Sequence, residues 1–471
     1  MIHQYKNNGY NIIMDVESGS VHVVDDIVYD MIEALDEYAK DNSIRTVVDE
    51  DNIEAIAYED VREFLNNKLE KYSETDIAEA YEEVAGLIED ECLFTDDLYH
   101  NYLVDFTKRQ TVVKALCLHI AHDCNLACQY CFAGEGEYHG KRELMSFEVG
   151  KKALDFLVKS SGSRRNLEVD FFGGEPLMNF EVVKQLVEYG RSLEEKNDKK
   201  FRFTLTTNGV LLNEEILEFA NKEMGNLVLS LDGRKEVHDM MRPRRGGQGS
   251  YDQIVPKFVE AANSRNQMNY YVRGTYTHNN LDFSEDVKHM AELGFEQISV
   301  EPVVAPPSES YAIQDEDVPK LLEEYDKLAK YLLKRRENGK PVNFFHFMID
   351  LTGGPCVAKR LSGCGSGTEY LAVAPNGDLY PCHQFVGMPE FLLGNVDIGV
   401  TNTEVVNKFK LCNVYAKEEC KTCFSKFYCS GGCAANAYNF TGDINGVYET
   451  GCKLQRKRVE CAIMIKAATS E

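Results

Sequence analysis

The chain contains no tryptophan, only 12 prolines in 471 residues, and fewer basic than acidic side chains: 51 Lys and Arg against 77 Asp and Glu. The resulting formal charge of −26 argues against nucleic acid as the main partner, because phosphate binding needs a basic surface. It suits solubility, or the attraction of a basic peptide. No apolar run approaches the ~18 residues of a membrane helix. Residues 1–16 lack the basic start and apolar core of a signal peptide. These absences predict a cytoplasmic protein with no membrane partner. The length exceeds one compact core and predicts two or three domains. Apolar residues at 44% and charged residues at 27% are ordinary for a globular protein.

Cysteine, by contrast, is abundant, with 15 residues. In a cytosolic chain of this size that number predicts metal or cluster binding rather than disulfides. Cys92 and Cys117 stand alone, Cys124, Cys128 and Cys131 form one group, and the rest run from Cys356 to Cys461. Cys92, Cys117 and Cys461 read as ordinary buried cysteines.

Residues 1–105 read as a small separate domain. Two short strands, 11–16 and 20–24, flank the turn signal Glu17-Ser18-Gly19. Helical apolar spacing covers 26–40 and 57–71, and an acidic helix covers about 74–90. This mixture suggests a winged-helix-like module able to hold a peptide by adding a strand to its sheet. In 106–310 strands alternate with helices. The strands are 116–120, 167–172, 201–206, 227–231, 270–277 and 297–303. The helices are 147–159, with Ser146 as N-cap, 180–194, 213–223, 252–264 and 284–292. Six βα units imply a parallel sheet with right-handed crossovers. Six rather than eight imply an open, partial barrel with its active site at the carboxyl ends of the strands. The unusual residues fall there: the Cys124 group after strand one, Gly173-Gly174-Glu175-Pro176 after strand two, Thr207-Asn208-Gly209 after strand three and Asp232-Gly233 after strand four. Residues 311–349 contain one charged linking helix, 313–338. Residues 350–471 are Gly- and Cys-rich with little periodicity, so metal or clusters would have to supply stability, and a closing helix follows Cys452.

The spacing Cys124-x3-Cys128-x2-Cys131 puts three thiolates on one short loop. Three thiolates on a 4Fe–4S cluster leave one iron without a protein ligand. The competing reading is a zinc knuckle with His119 or His122 as fourth ligand. A second set comprises Cys364, Gly377-x4-Cys382, Cys420-x2-Cys423-x5-Cys429-x3-Cys433 and Cys452. For its CxxC pairs a zinc ribbon is the competing reading.

On these residues, 112–305 resembles a radical SAM enzyme, whose signature is the CxxxCxxC loop on a partial barrel. The resemblance implies an α/β partial (β/α)6 barrel and S-adenosylmethionine (SAM) bound at the open iron. One electron then splits SAM to methionine and a 5′-deoxyadenosyl radical. Tyr130 resembles the residue packed near adenine and Gly174 the backbone that meets the SAM amino group. Ser230 and Arg242 resemble ribose and carboxylate contacts, and Val304 an adenine contact. No catalytic side chain is singled out. The downstream cysteines resemble the SPASM extension, which implies two auxiliary 4Fe–4S clusters and three in all. Cys364, Cys382 and Cys433 would hold the first, with Cys356 as a possible fourth ligand. Cys420, Cys423, Cys429 and Cys452 would hold the second, and Cys412 sits outside the pattern.

Segments such as LCLHIAHDCNLACQYCFA, LEVDFFGGEPLMNF and YLAVAPNGDLYPCHQFVG resemble the maturases of SCIFF peptides (six cysteines in forty-five residues). That likeness implies thioether formation, from cysteine sulfur to a carbon of a residue such as threonine, in a cysteine-rich precursor peptide bound through its leader. It also implies an electron donor such as flavodoxin or ferredoxin. Two alternatives compete. Anaerobic sulfatase-maturing enzymes oxidise cysteine or serine to formylglycine and carry an aspartate where this chain has His383. A non-enzymatic electron-transfer protein would explain the cysteines but not the loops at successive strand ends.

Overall fold

The computed structural model describes residues 1–49, 52–102, 106–138, 140–351 and 356–469. The domain boundary expected at 105 lies outside the described residues, as does the 352–355 part of the Gly- and Cys-rich segment.

Six parallel strands form the centre: Ala115–His122, Asn166–Gly173, Lys200–Thr207, Met224–Ser230, Tyr270–Tyr276 and Gln297–Pro302. They lie side by side in chain order. Every residue of Ala115–His122 is buried, as expected for a parallel strand covered on both faces. The connecting helices begin and end on legible signals. Ser146 accepts from the Val149 N–H (3.3 Å) at the start of Phe147–Ser160. Phe180–Asn197 stops at Asp198, which adopts a left-handed conformation with φ +49°.

The six strands do not close into a barrel. Strand one takes a further parallel neighbour, Tyr370–Val373, in register from Ala115 to Leu118. That neighbour continues as an antiparallel meander through Asp378–Tyr380, Gly394–Asn395 and Gly399–Val400. Strand six takes Asn343–Phe344 in parallel. Both open edges are therefore covered. The segment after 350 lacks a large apolar core of its own and instead extends the barrel's: Leu371, Val373, Phe385, Phe391 and Ile463 are buried in the same cluster as Phe171 and Leu205. The helix Val318–Glu337 is likewise packed. It buries Leu321, Tyr325, Leu328 and Leu332, and Arg458 of the closing helix Glu449–Ala467 donates to the Tyr325 hydroxyl (2.7 Å).

At the amino end, Ile2–Asn7, Tyr10–Asp15 and Val21–Val24 form an antiparallel sheet. Strand alternation turns Ile13 toward the helices Asp26–Tyr38, Tyr58–Lys68 and Glu74–Glu89, while Ile12 and Met14 join the main core. On that second face the Tyr5 hydroxyl donates to the Glu460 carbonyl (2.9 Å), and the His3 ring stacks on Phe424. No helix among the described residues is long and apolar enough to cross a membrane.

Candidate active site

A cavity of about 270 Å³ opens at the carboxyl ends of the six strands, close to the lower end of the roughly 300–1,000 Å³ typical of small-molecule sites. Cys124, Cys128, Cys131, Tyr130, Gly174, Ser230, Arg242 and Val304 all line it. The structure thus brings together every residue expected at the first cluster and its ligand.

The cysteine loop is pinned from two sides. The N–H groups of Ala127 and Gln129 donate to the carbonyls of Pro243 (2.8 Å) and Met241 (2.9 Å). From strand two, the Glu175 N–H donates to the Asp123 carbonyl (2.8 Å). A Cβ at position 174 would stand 2.1 Å from the Asp123 oxygen, so glycine there is required by contact between two loops and not only by a ligand. The Gly174 N–H is committed to Ala121 O (2.7 Å). Its carbonyl is therefore the backbone group left to meet a ligand's ammonium.

Two buried carboxylates hold the walls. Asp232 accepts from the Tyr130 hydroxyl (2.6 Å), Arg242 Nε (3.0 Å) and the Thr275 N–H (2.9 Å). One edge of the Arg242 guanidinium is thereby fixed, and its remaining N–H groups stay available for a bidentate partner. Glu175 accepts from the Leu177 N–H (3.0 Å), Thr207 Oγ1 (2.9 Å) and the Asn208 N–H (2.8 Å). Asn208 in turn donates to Asn125 Oδ1 (2.7 Å) and lies 3.6 Å from Cys124 Sγ. Burial pushes the Glu175 carboxyl up to about 7 against these donors. Motif spacing marked the segments holding Glu175, Asn208 and Asp232 but not these partners. Arg273 and Glu301, an ion pair at 3.1 Å on the cavity wall, were missed. Their only signal was a charge inside each of two otherwise apolar strands.

Burial pushes the thiols of Cys124 and Cys128 up to about 12 and about 11, so binding iron there must displace their protons. The three thiols, the Gly174 carbonyl and the anchored Arg242 fit a 4Fe–4S cluster with a ligand carrying ammonium and carboxylate groups. His119 and His122 do not complete a zinc knuckle. They hydrogen-bond each other (3.0 Å) and pack on the Tyr138 ring. Among the described residues no group of three His, Cys, Asp or Glu side chains is placed to hold a single metal ion.

The downstream cysteines gather around two further cavities. Cys364 and Cys412 share one. Cys429, Cys433 and Cys452 share another, of about 260 Å³, which also has Glu301, Pro302, Val304 and Asn436 in its wall. Those four residues line the first cavity as well. Cys382 is buried, and Cys433 and Cys364 stand close enough to reinforce the upward push of burial on its thiol. Burial raises Cys429 to about 12, with Cys452, Cys420 and Cys423 beside it. Cys356 lines neither cavity; it is exposed, as Cys364 and Cys433 also are, and occupies the N-cap position of the short helix Val357–Ser362. Cys412, which the spacing left outside the pattern, lies with Cys364. Cys117 and Cys461 are buried as expected, whereas Cys92 is only half-buried.

His238 ties this site to pH. Its Nδ1 accepts from the Asp232 N–H (3.3 Å), and its Nε2 is 2.9 Å from Ser250 Oγ, which donates to the Arg242 carbonyl. Burial lowers its pKa from 6.5 to about 4. Between those values the unfolded chain binds the proton and the folded chain does not, so stability falls as pH falls. The expected loss from this residue is on the order of 2 kcal/mol between pH 7 and pH 5. Urea unfolding of His238→Gln should show a correspondingly smaller pH dependence than the parent chain.

Residues 113–256 match the family model described as a 4Fe-4S single cluster domain. A cysteine-type anaerobic sulfatase-maturating enzyme of Clostridium novyi is 25% identical over 67% of this chain and 86% of its own length. Native anSMEcpe with bound AdoMet and Kp18Cys peptide is 22% identical, with a TM-score of 0.62 over 76% of this chain and 98% of that one. Streptococcus suis SuiB bound to S-adenosylmethionine is 16% identical, with a TM-score of 0.50 over 96% and 98% of the two chains. The chain therefore has an α/β fold similar to that of anSMEcpe and SuiB, built on one large parallel sheet.

Proposed function

We propose that this chain is a radical SAM maturase that closes thioether bonds, from a cysteine sulfur to a carbon of an acceptor residue such as threonine, in a cysteine-rich precursor peptide of the SCIFF kind. The observation that carries this reading is the single cavity that unites Cys124, Cys128 and Cys131 with Gly174, Ser230 and Arg242 and shares the wall Glu301–Asn436 with the chamber of Cys433. Cys124, Cys128 and Cys131 would hold a 4Fe–4S cluster, and with SAM bound this supplies a 5′-deoxyadenosyl radical that takes a hydrogen atom from the acceptor carbon.

The chain's own residues bind, orient and shield. The Gly174 carbonyl would accept from the SAM ammonium, and Arg242, held by Asp232, would pair with its carboxylate. Ser230 would meet the ribose, and Tyr130 and Val304 would flank the adenine. Phe132, Phe172 and His383 pack together on the cavity wall and exclude water from the reacting carbon. Cys364, Cys382 and Cys433 would hold one auxiliary cluster. With Cys356 outside this set, three protein thiolates would leave room for the peptide's sulfur. Cys420, Cys423, Cys429 and Cys452 would hold a second auxiliary cluster. The amino-terminal sheet would take the peptide's leader along its edge strand Val21–Val24. A flavodoxin or ferredoxin in the cytoplasm would supply the electron.

Each bond formed removes one hydrogen from the acceptor carbon and one proton from the thiol. Mass spectrometry of a six-cysteine precursor peptide after reaction should show loss of two hydrogens per bond with every sulfur retained. An unchanged mass, with all thiols still open to alkylation, contradicts the proposal. Likeness to the Clostridium novyi enzyme supports a second reading, oxidation of a cysteine to formylglycine, and the same spectrum separates the two because formylglycine has lost its sulfur. His383 lies between aromatic rings and 3.4 Å from the Tyr370 hydroxyl, a setting that suits shaping the cavity.

A further inference from the structure

Two lysines of the carboxyl-terminal region are almost completely buried, each with 2% of its surface exposed: Lys417 and Lys426. Lys426 has its counter-charges, Glu17 at 2.9 Å and Asp97 at 3.3 Å. Lys417 has none of this kind among the described residues. Its ammonium donates only to two backbone carbonyls, Gly431 O (2.9 Å) and Gly446 O (3.1 Å). A cation taken out of water without an anion is strongly unfavourable, so a partner of negative charge belongs nearby.

The surroundings identify it. Lys417 lines both the cavity of Cys364 and Cys412 and the chamber of Cys429, Cys433 and Cys452. It is near enough to Cys412 and Cys420 to oppose the upward push of burial on both thiols. Thiolate-ligated iron–sulfur clusters are net anions, and a nearby cation stabilises the reduced, more negative form. We propose that Lys417 is the shared counter-charge of the two downstream cysteine groups, a positioning residue that raises the reduction potential of the auxiliary clusters they hold. This rests on the reading of those cysteines as cluster ligands. Its consequence is directional: the clusters become better acceptors for the surplus electron left when a thioether closes.

The test uses the full chain with Cys124, Cys128 and Cys131 all changed to alanine, so that only the downstream groups load iron. About eight iron atoms per chain should remain of about twelve for three clusters. A chain that binds none refutes the reading of those cysteines themselves and does so before Lys417 is touched. In that background, potentiometric titration followed by electron paramagnetic resonance compares Lys417, Lys417→Gln and Lys417→Arg. Glutamine keeps a donor for the two carbonyls and removes the charge; arginine keeps the charge. Lys417→Gln should shift the reduced-to-oxidised ratio at fixed potential at least tenfold toward oxidised, a midpoint about 59 mV lower for one electron, and Lys417→Arg should restore it. Iron retained in Lys417→Arg but lost in Lys417→Gln also supports the proposal, since charge is then what the clusters need. An unmoved midpoint in Lys417→Gln overturns it, as does loss of iron from both variants.

Discussion

Replacing Asp232 with alanine should destabilise the protein by about 3–5 kcal/mol, the cost of breaking a buried ion pair from one side. Asp232 is fully buried, and the side chain of Arg242 is 13% exposed. Removing the carboxylate leaves the guanidinium, the Tyr130 hydroxyl and the Thr275 N–H without their shared acceptor. Asp232→Asn should cost less, because its carbonyl can still accept from Arg242 and Thr275 while the Tyr130 hydroxyl turns to accept from the new amide. Urea unfolding of the iron-free protein measures the first effect. Equilibrium dialysis of SAM against the iron-loaded protein measures the second: Arg242 no longer held at one edge should bind the SAM carboxylate poorly, and affinity should fall in the order parent, Asp232→Asn, Asp232→Ala. Equal stability of Asp232→Ala and parent contradicts the anchoring role.

Glu175→Ala should lower both stability and rate. The change strands the N–H groups of Leu177 and Asn208 and the Thr207 hydroxyl, at about 1–3 kcal/mol for each buried donor left unpaired and less than additively. It also frees Asn208, which braces Asn125 and Cys124. A displacement of about 1 Å at the cysteine loop is expected to lower SAM cleavage about 100-fold. Iron content should persist, because the three thiols remain. Glu175 has a pH signature too. Its folded pKa of about 7 lies above the ordinary 4.5. The folded state therefore holds the proton more tightly between these values, and this residue makes stability fall as pH rises through that window. Glu175→Ala should remove that slope, and a slope unchanged by the substitution would contradict the assignment.

Much of this was legible because parallel strands buried on both faces appear as short apolar runs between helices of regular period. The six central strands fall where those runs predict, within about three residues, and the cysteine, GGEP, TTNG and Asp-Gly segments fall at their ends. The unread parts depend on non-local pairing. Ile2–Asn7 is a polar-looking strand specified by Tyr10–Asp15 and the closing helix. Tyr370–Val373 joins strand one across more than 250 residues, and no local pattern encodes that. The helix at 318–337 reads as a charged link because its buried positions, such as Leu321, Tyr325, Leu328 and Leu332, are separated by charged residues. No local pattern marks Lys417, and only the fold shows that its charge is enclosed with cysteines. The likeness to the SPASM extension offers Cys356 as a possible fourth ligand and leaves Cys412 out, whereas the structure leaves Cys356, Cys364 and Cys433 all exposed and puts Cys412 beside Cys364.

The central claim is that the Cys124, Cys128 and Cys131 loop and the cavity around it cleave SAM. The direct measurement is anaerobic incubation of the iron-loaded, reduced protein with SAM, with 5′-deoxyadenosine quantified by chromatography and mass spectrometry. The account predicts 5′-deoxyadenosine from the parent chain and none from Cys128→Ala. No 5′-deoxyadenosine from fully iron-loaded, reduced parent protein would contradict it.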